Sequence, residues 1–274
     1  MKLCSVIQDR LDIIYCVVVW HRRKRSVKVE QYQHVNAIIL RSRDYKEADQ
    51  LLTIYTREQG KLTVQVRGVK KTNSKLRGGI LLFSQAELVL TAGKAFPIVI
   101  NASTKTSFSA LRTDFSRMSY AGYAAELLDQ VISEGHADEA LYLFMLQTLQ
   151  LLEFIDPWVA VKYLESKVLE RQGYSLELNR CQYCGAVLSG EQYRGVYGGL
   201  LCRQCGLQEL GGIVLTQEGR TFLQALSYIP LHRLGWLYMS RDGRESVNRY
   251  MEFQLQQVLA YPLKTRDFLK QMNL

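Results

Sequence analysis

The stretch LLTIYTREQGKLTVQVRGV, residues 51–69, decides the fold of the N-terminal part of this chain. Its first run, Leu51 to Thr56, is rich in β-forming residues, and a glycine turn separates it from the second run, Lys61 to Val69. Apolar and polar residues alternate in the second run, which is the period of a half-buried strand. The apolar face of that run consists of Leu62, Val64 and Val66. The stretch therefore predicts two neighbouring strands joined by a tight turn.

Three further runs around this stretch have the same β character. They are Val35 to Leu40, Ile80 to Leu90 and Ala95 to Ile100. Five short strands, with no helix of convincing length between them, are typical of a small closed barrel. The OB-fold is the commonest five-stranded barrel, and an SH3-like barrel is the main alternative. We therefore expect an OB-fold domain at residues 35–105.

The hydrophobic period changes after the barrel, from two residues to between three and four. This period predicts a helix over roughly 109–132. The inward side chains of that helix are expected to be Leu111, Phe115, Met118, Gly122, Ala125 and Leu128. Asp138 is expected to cap a second helix that runs to about Phe154. Asp156 followed by Pro157 marks the start of a third helix.

The pattern of helices continues towards the C-terminus. Gly173 is expected to end the third helix, and Thr216 to cap another that runs to about Leu226. The segment from Arg244 to Ala260 has the pattern of the last long helix. We therefore expect an α-helical domain at residues 106–274, which makes the chain an α+β protein of two domains.

Four cysteines interrupt the helical domain in a module at about residues 178–210. Their order is Cys181, two residues, Cys184, seventeen residues, Cys202, two residues and Cys205. This spacing lies within the range of four-cysteine zinc sites, and four thiolates leave no open position for catalysis. Gly185 and Gly206 follow the second cysteine of each pair, where the turn needs a positive φ or a close backbone approach. We expect a structural Zn²⁺; a redox dithiol pair or a decayed site is the alternative.

The chain is basic, and its positive charge is concentrated in one segment. The formal net charge is +9, with a pI near 9.2. Residues 57–77 contain seven basic residues and one acidic residue, so their net charge of +6 is about two-thirds of the total. On an OB-fold such a segment suits a groove that follows phosphates; a solvated edge protected by lysines is the alternative. The candidate DNA-binding residues are Arg41, Arg57, Lys61, Arg67, Lys70, Lys71, Lys75 and Arg77.

Aromatic and acidic residues of the predicted barrel are further candidates for nucleic-acid binding and for a metal site. Tyr45 and Tyr55 are candidates for base stacking, although core packing is the commoner role of aromatic residues at strand spacing. Asp44, Glu47 and Asp49 form a carboxylate cluster that a nuclease could use with a metal. Their charged neighbours favour a solvated turn instead.

Known enzymatic motifs are absent from the sequence. It contains no G-x-x-x-x-G-K-[ST] phosphate loop, no G-x-S-x-G and no H-E-x-x-H. We therefore expect a protein that is not an enzyme. Two alternatives stay open: a nuclease-like enzyme with a zinc ribbon, and a zinc-ribbon scaffold that only bridges proteins.

The first 34 residues form an extension that does not join the strand pattern. Its longest apolar run, Ile13 to Trp20, has eight residues, which is too short to span a bilayer. The basic cluster Arg22 to Arg25 follows this run, whereas a secretory signal has its charges first. We expect no export and a cytoplasmic location. The extension is interpreted as a tail, an extra strand or the artefact of a start codon placed too early.

Several segments together resemble a known family. Residues 37–90 contain D-Y-x-E-A-D, T-R-E-x-G-K, the loop R-G-x-x-K-x-x-S-K-L-R-G and the strand F-x-x-x-E-L-x-L. With YAGYAAELLDQVI at 120–132, the four-cysteine insertion and LKTRDFLKQ at 263–271, these resemble the RecO family of bacterial recombination mediators. The resemblance covers roughly Val35 to Leu274, and the order and spacing of the segments carry it.

The resemblance implies a non-catalytic protein with an OB-fold, a helical domain and a zinc module. It implies binding of single- and double-stranded DNA, annealing of complementary strands, and loading of RecA onto SSB-coated DNA in the RecF-type pathway. The implied partners are DNA, RecR, the C-terminal tail of SSB and, indirectly, RecA, with no membrane. The implied location is the bacterial cytoplasm, at the nucleoid.

Overall fold

The structure is a computed structural model, and it describes residues 32–209 and 211–272. A barrel of five strands forms its N-terminal part. The strands are β1 (Gln33–Tyr45), β2 (Asp49–Thr56), β3 (Gly60–Val66), β4 (Gln85–Thr91) and β5 (Ile98–Thr106). They pair in the order β1–β2–β3–β5–β4, and the barrel closes because β1 also pairs with β4. The pairs are antiparallel except β3 and β5, which run parallel at Gln65 and Ile98. This closed barrel confirms the predicted OB-fold.

The middle of the first strand is buried on both faces, because the barrel core lies on one side and the helices lie on the other. Ala37 and Ile39 belong to the barrel core, whereas Ile38 and Leu40 belong to the core that the helices form. A strand segment covered on both faces has a continuous apolar sequence instead of an alternating one. This explains the apolar run from Ala37 to Leu40.

Several strand boundaries differ from the sequence prediction. The first strand continues beyond Leu40 to Tyr45, and the strand predicted to reach Val69 ends at Val66. The strand predicted from Ile80 begins only at Gln85, because Phe83 adopts a φ of 55° that interrupts the extended backbone. The strand predicted from Ala95 begins at Ile98 and continues further than expected. The proline directly before Ile98 has no N–H with which to pair, so the ladder starts after it.

The barrel begins slightly earlier than predicted. Gln33 and His34 already belong to β1 and pair with Leu90 and Val89 of β4. The other expectations for the N-terminal extension, including its apolar run and its basic cluster, lie outside the described residues. All of the described residues belong to one compact unit.

Three of the next helices begin with an aspartate cap. The helices are α1 (Ala110–Thr113), α2 (Phe115–Val131), α3 (Glu139–Phe154) and α4 (Pro157–Arg171). Asp114, Asp138 and Asp156 accept a hydrogen bond from a backbone N–H in the first turn of α2, α3 and α4, respectively. Gly173 has a φ of 84° and ends α4. The predicted caps at Asp138 and Asp156 and the glycine stop are confirmed.

The helix predicted over 109–132 is divided into α1 and α2. Asp114 is extended, with φ −127° and ψ 114°, because its side chain caps the helix that follows. Phe115 was predicted to face inward but is 59% exposed. It lies in the first turn of α2, where its ring edge contacts Phe268 with centroids 6.1 Å apart. Tyr120 is one of the residues that occupy the buried face instead.

The cysteines lie at the edge of a small β-sheet that the sequence did not predict, and Cys181 is the one that belongs to a strand. The strands of this sheet are β6 (Glu177–Cys181), β7 (Gln192–Val196), β8 (Gly199–Leu201) and β9 (Ile213–Thr216), in the order β6–β8–β7–β9. A short helix, α5 (Arg203–Gln208), follows β8. Strands of three to five residues are too short for a hydrophobic period to reveal them.

The C-terminal helices complete the second domain. They are α6 (Gln217–Tyr228), α7 (Arg241–Leu255) and α8 (Lys264–Gln271). Thr216 caps α6, as predicted. The helix predicted from Arg244 to Ala260 begins earlier, at Arg241, because Ser240 caps it, and it ends at Leu255. The helix α8 was not predicted. No helix in the part of the chain that the structure describes has both the length and the apolar character needed to cross a bilayer.

Candidate nucleic-acid interface and metal site

The basic stretch after β3 forms a structured loop, fixed at both ends. Gly68 turns the chain with a φ of 62°. The Asp49 carboxylate accepts hydrogen bonds from the Gly68 N–H (2.8 Å) and the Gln65 amide (2.7 Å), and the bond from Gly68 holds the pKa of Asp49 below its usual value. At the other end, a Cβ on Gly79 would lie 2.4 Å from the Ala102 carbonyl oxygen, so only glycine fits. The loop therefore presents its side chains from a defined backbone.

Arg77 holds the middle of the loop. Its guanidinium donates hydrogen bonds to the carbonyl oxygens of Lys70 and Lys71, both at 3.0 Å, and a longer one to that of Val69 at 3.4 Å. A planar guanidinium can bind several carbonyls at once because its donors point outward in a fixed fork. Arg77 therefore shapes the loop in addition to charging it.

The other cations of the loop differ in whether a carboxylate neutralises them. Lys70 Nζ lies 2.8 Å from Asp44 Oδ2, and this bond lowers the pKa of Asp44. Arg67, Lys71 and Lys75 are exposed. Among the residues that the structure describes, no ion pair involves any of these three, which we call the free loop cations. They leave uncompensated positive charge on the loop surface.

The remaining three candidates lie where the barrel meets the helices, which we call the seam. Lys61 Nζ donates to the Asp129 carbonyl at 2.8 Å and lies 3.1 Å from its Oδ1. Arg57 forms an ion pair with Glu139. Arg41 lines a cleft of about 330 Å³ together with residues of α2 and α8. The structure thus places five of the eight candidates on the loop and three at the seam.

The two candidate stacking tyrosines have different surroundings. Tyr55 is completely buried, and its hydroxyl donates to the Asp138 carbonyl at 2.9 Å. Burial raises its pKa to about 12. A stacking role for Tyr55 is therefore wrong, and the core-packing alternative is right. Tyr45 stays half-exposed, with its ring 6.2 Å from that of Phe96 in an edge contact.

The four predicted metal ligands come together in space. The sulfur atoms of Cys181, Cys184, Cys202 and Cys205 all lie within 4.8 Å of one another. Those of Cys184 and Cys202 are 3.8 Å apart. A tetrahedral zinc ion with bonds of about 2.3 Å separates its sulfur ligands by about 3.8 Å, so the donor set fits zinc. Elsewhere in the described ranges, no other group of three or more possible ligands was found.

The two glycines of the motif have different reasons for being glycine. Gly185 adopts a φ of 72°, and its N–H donates to the Cys181 carbonyl at 2.9 Å, which closes the first turn. Gly206 has an ordinary helical position, but an added Cβ would lie 3.0 Å from the Cβ of Arg194. Both predicted reasons, a positive φ and a close approach, are therefore found, one at each turn.

The thiols influence one another through their close spacing. Burial opposes ionisation of Cys181, but backbone N–H groups, first that of Cys184, lower its pKa to about 6. Hydrogen bonding to the Cys202 sulfur raises the pKa of Cys205 to about 12. Crowded thiolates repel each other, and a bound cation removes this conflict by stabilising all four.

The cysteine-bearing sheet is fixed to helices α6 and α7. The buried Arg220 side chain donates to the Leu178 carbonyl at 2.6 Å, and the Tyr250 hydroxyl donates to the Gly199 carbonyl at 3.1 Å. The sheet approaches α7 so closely that a Cβ on Gly195 would lie 2.5 Å from the Tyr250 ring. These contacts join the cysteine-bearing sheet directly to the helical core.

A group of exposed aromatic residues lies between α6 and α7 and is not among the residues that the sequence predicted as functional. Trp236 is 75% exposed and Tyr238 is 86% exposed. Arginines at 233 and 241 flank them in the sequence. Aromatic residues interleaved with basic ones are a signal that could have identified this segment.

This protein belongs to the structural class of OB-fold proteins. Its barrel has a cationic loop, and a helical domain that carries a four-cysteine cluster follows the barrel. Comparison with known families then identifies it further. The family description "Recombination protein O N terminal" matches residues 31–108, and "Recombination protein O C terminal" matches residues 112–267. The chain therefore belongs to the RecO family, and its role lies in DNA repair and recombination.

Individual relatives agree with this assignment. A protein of Pelotomaculum thermopropionicum is 32% identical over 235 residues, which are 85% of this chain and 92% of the relative. One of Moorella thermoacetica is 34% identical over 208 residues, 74% and 76% of the two chains. One of Desulforamulus reducens is 28% identical over 240 residues, 87% and 94% of the two chains. All three are named DNA repair protein RecO.

Proposed function

We propose that this chain is a DNA-binding recombination mediator in the RecF-type pathway of double-strand-break and gap repair. It binds single- and double-stranded DNA, anneals complementary strands and, with RecR, helps to load RecA onto SSB-coated single strands. It does this by binding alone, without covalent chemistry. One observation carries the proposal: the loop of a RecO-family barrel holds three exposed cations that pair with no carboxylate in the described part of the chain.

The free loop cations are the proposed phosphate contacts. Release of counterions from the DNA provides much of the affinity, so no particular base sequence is needed. Lys70 joins them, because its pair with Asp44 is exposed and screened by water, so a phosphate can replace that partner. Arg77 supports the contact by keeping the loop in place.

The seam residues have a second role in this proposal. Lys61 and Arg57 join the barrel to α2 and α3 through acidic partners, so they mainly position the loop-bearing barrel against the helices. Arg41 faces the open cleft and is the seam residue proposed to contact a strand that passes there.

Annealing follows from holding two strands on one basic surface. Two strands repel each other through their phosphates, and bound cations reduce this repulsion. A strand already held on the protein meets its complement at a raised effective concentration, which speeds pairing without any new base contact.

The zinc module has a structural role in the proposal. Cys181, Cys184, Cys202 and Cys205 would hold Zn²⁺, which acts as a cross-link between the two cysteine turns. The four thiolates fill the coordination sphere, so no position is left for a substrate. The proposed domains are the barrel at 35–105 and the helical domain at 106–274, with the zinc module at about 178–210.

The partners and location of this chain follow from its proposed role. The helical domain offers surface for RecR and for the C-terminal tail of SSB, and RecA is reached indirectly through the DNA. No membrane takes part, and the chain works in the bacterial cytoplasm, at the nucleoid.

An annealing assay with two complementary oligonucleotides, one labelled, tests this function. The pure protein should shift both single strands and duplex at low salt and should accelerate pairing, and addition of RecR should allow RecA filaments to form on SSB-coated strands. Absence of any DNA binding at low salt would overturn the proposal in favour of a bridging scaffold. Magnesium-dependent cleavage of the strands would instead identify a nuclease.

A further inference from the structure

The segment that joins α6 to α7 carries aromatic side chains with no partner in the described core. We call Pro230–Arg241 the aromatic segment. Its residues Trp236 and Tyr238 are largely exposed, and so is Tyr228 at the end of α6. Trp158, in contrast, is buried and donates its indole N–H to Asn248 at 2.9 Å. Three large exposed rings within residues 228–238 mark an interaction surface.

The two main rings lie close together along the chain, and both are in solvent. Trp236 ends a 3-10 turn, Leu231–Trp236, and Leu237 after it is extended, with φ −72° and ψ 117°. From there the exposure alternates: Trp236, Tyr238 and Ser240 are exposed, whereas Met239 is buried. Two exposed rings within three residues can each stack a base of a single strand that passes over the segment.

Charge decides which partner suits this surface. The aromatic segment contains two arginines and no acidic residue. The Arg233 guanidinium lies over the Trp236 ring, 5.3 Å from its centroid, and Arg241 is exposed at the start of α7. Arginine stacked on an aromatic ring provides both a cation and a flat surface, which is how proteins hold single-stranded nucleic acid. A single strand, with free base faces and a chain of phosphates, complements both features.

We propose that the aromatic segment is a second DNA contact, specific for single strands, at which Trp236 and Tyr238 stack unpaired bases beside Arg233 and Arg241. The bases of a duplex are already stacked and paired, so this surface distinguishes single strands from duplex, whereas the basic loop binds both. The inference rests on the proposed function, because it assigns part of the same DNA-binding activity.

Direct titration of the full chain with an oligo-dT of about 16 nucleotides tests this contact. The strand should quench the emission of Trp236, and Trp236→Phe should abolish the quenching while keeping most of the affinity, because phenylalanine still stacks. Trp236→Ala should weaken oligo-dT binding about tenfold, and the double variant with Tyr238→Ala should weaken it further. The duplex affinity of these variants, and the salt dependence of their DNA binding, should equal those of the unchanged protein, because no charge is removed.

Tyr261→Ala is the matched control. Tyr261 is a 66% exposed tyrosine, and it lies beyond the other end of α7, a helix of 15 residues that is about 22 Å long. This variant should bind oligo-dT like the unchanged protein. The four variants change only exposed side chains, and equal melting temperatures confirm that all of them are folded.

Three results would overturn the proposal. One is unchanged oligo-dT affinity in Trp236→Ala with Tyr238→Ala. The second is an equal loss of duplex and single-strand affinity in that variant. The third is a Trp236 emission that responds to protein concentration or to RecR but not to DNA, which would make the segment a protein interface. A failure of the basic-loop proposal can be distinguished from a failure of this one. It would appear as a salt dependence of DNA affinity that substitutions in the loop do not change.

Discussion

Removing the charge of the free loop cations is the most direct test of the nucleic-acid interface. The triple substitution Arg67→Gln, Lys71→Gln and Lys75→Gln keeps long polar side chains and removes three positive charges. None of the three takes part in an ion pair among the described residues, and all are exposed. The anchors Asp49 and Arg77 stay unchanged. We therefore expect the loop backbone and the melting temperature to be preserved.

The expected effect follows from the number of phosphates released. Each neutralised phosphate contributes about 0.7 to the slope of log affinity against log salt for a single strand, and about 0.9 for duplex. Three lost contacts should therefore reduce the slope by about 2 for single strands and about 2.7 for duplex. Between about 50 and 200 mM salt, the unchanged protein should lose about 20-fold more single-strand affinity than the variant.

Fluorescence anisotropy of labelled DNA, measured over this salt range, gives both slopes. The matched control is Lys167→Gln, Arg249→Gln and Lys270→Gln, which removes the same charge from cations that already pair with carboxylates on the helices. The control should keep the slope of the unchanged protein. Equal slopes for the loop variant and the unchanged protein would refute the reasoning. Equal losses in the loop variant and the control would mean that net charge matters and the loop does not.

Three further predictions concern stability. Removing the metal with a chelator, or changing Cys181 to Ser, should lower the melting temperature of the second domain, because the proposed Zn²⁺ is part of its folding. The same calorimetric transition in metal-loaded and chelated protein would contradict this prediction. Asp49→Asn should lower the melting temperature near pH 7. The hydrogen bond from Gly68 depresses the pKa of Asp49, so its carboxylate stabilises the fold above the ordinary pKa of 3.8. That contribution is lost as the pH falls through the lowered value, and melting curves of the two proteins should therefore converge in acid. Glu165→Leu should lower the free energy of unfolding by about 3–5 kcal/mol, because Lys162, 2.8 Å away and buried, loses its only ion-pair partner in the described structure. Addition of Lys162→Met should recover only part of this loss in urea unfolding, because the buried Tyr123 hydroxyl, which donates to Glu165 at 2.5 Å, still lacks this acceptor. A single variant as stable as the original would disprove the account.

Local sequence signals predicted the structure well where neighbouring residues control it. An aspartate at a helix start and a glycine at a helix end act within a few residues, so Asp138, Asp156 and Gly173 were identified correctly. The cysteine spacing predicted the cluster for the same reason, because each pair forms its own tight turn. Sequence signals were weaker where a segment has no regular spacing of apolar residues. The short strands of the cysteine-bearing sheet are defined by their partners, not by alternation in their own residues.

Tertiary contacts also decided which aromatic residues are exposed. Tyr55 and Trp236 are both large aromatic residues near charged ones in the sequence. Packing of α3 against the barrel buries Tyr55, whereas Trp236 lies at the surface beside Arg233. The basic residues around Trp236 are only a weak signal of its exposure, because burial depends on which distant element covers a side chain.

The sequence by itself determined that this chain carries a small barrel, a helical domain, a four-cysteine cluster and a concentration of positive charge in residues 57–77. It could not determine which of those charges are available to DNA. Lys61 and Lys71 are both lysines, ten residues apart in the sequence. Asp129, 68 positions after Lys61, forms an ion pair with Lys61, whereas no carboxylate among the described residues pairs with Lys71. The difference arises because an ion pair forms only where folding brings the two groups together. Folding brings Asp129 of α2 to Lys61 of β3, and this contact decided that Lys61, unlike Lys71, is not a free cation.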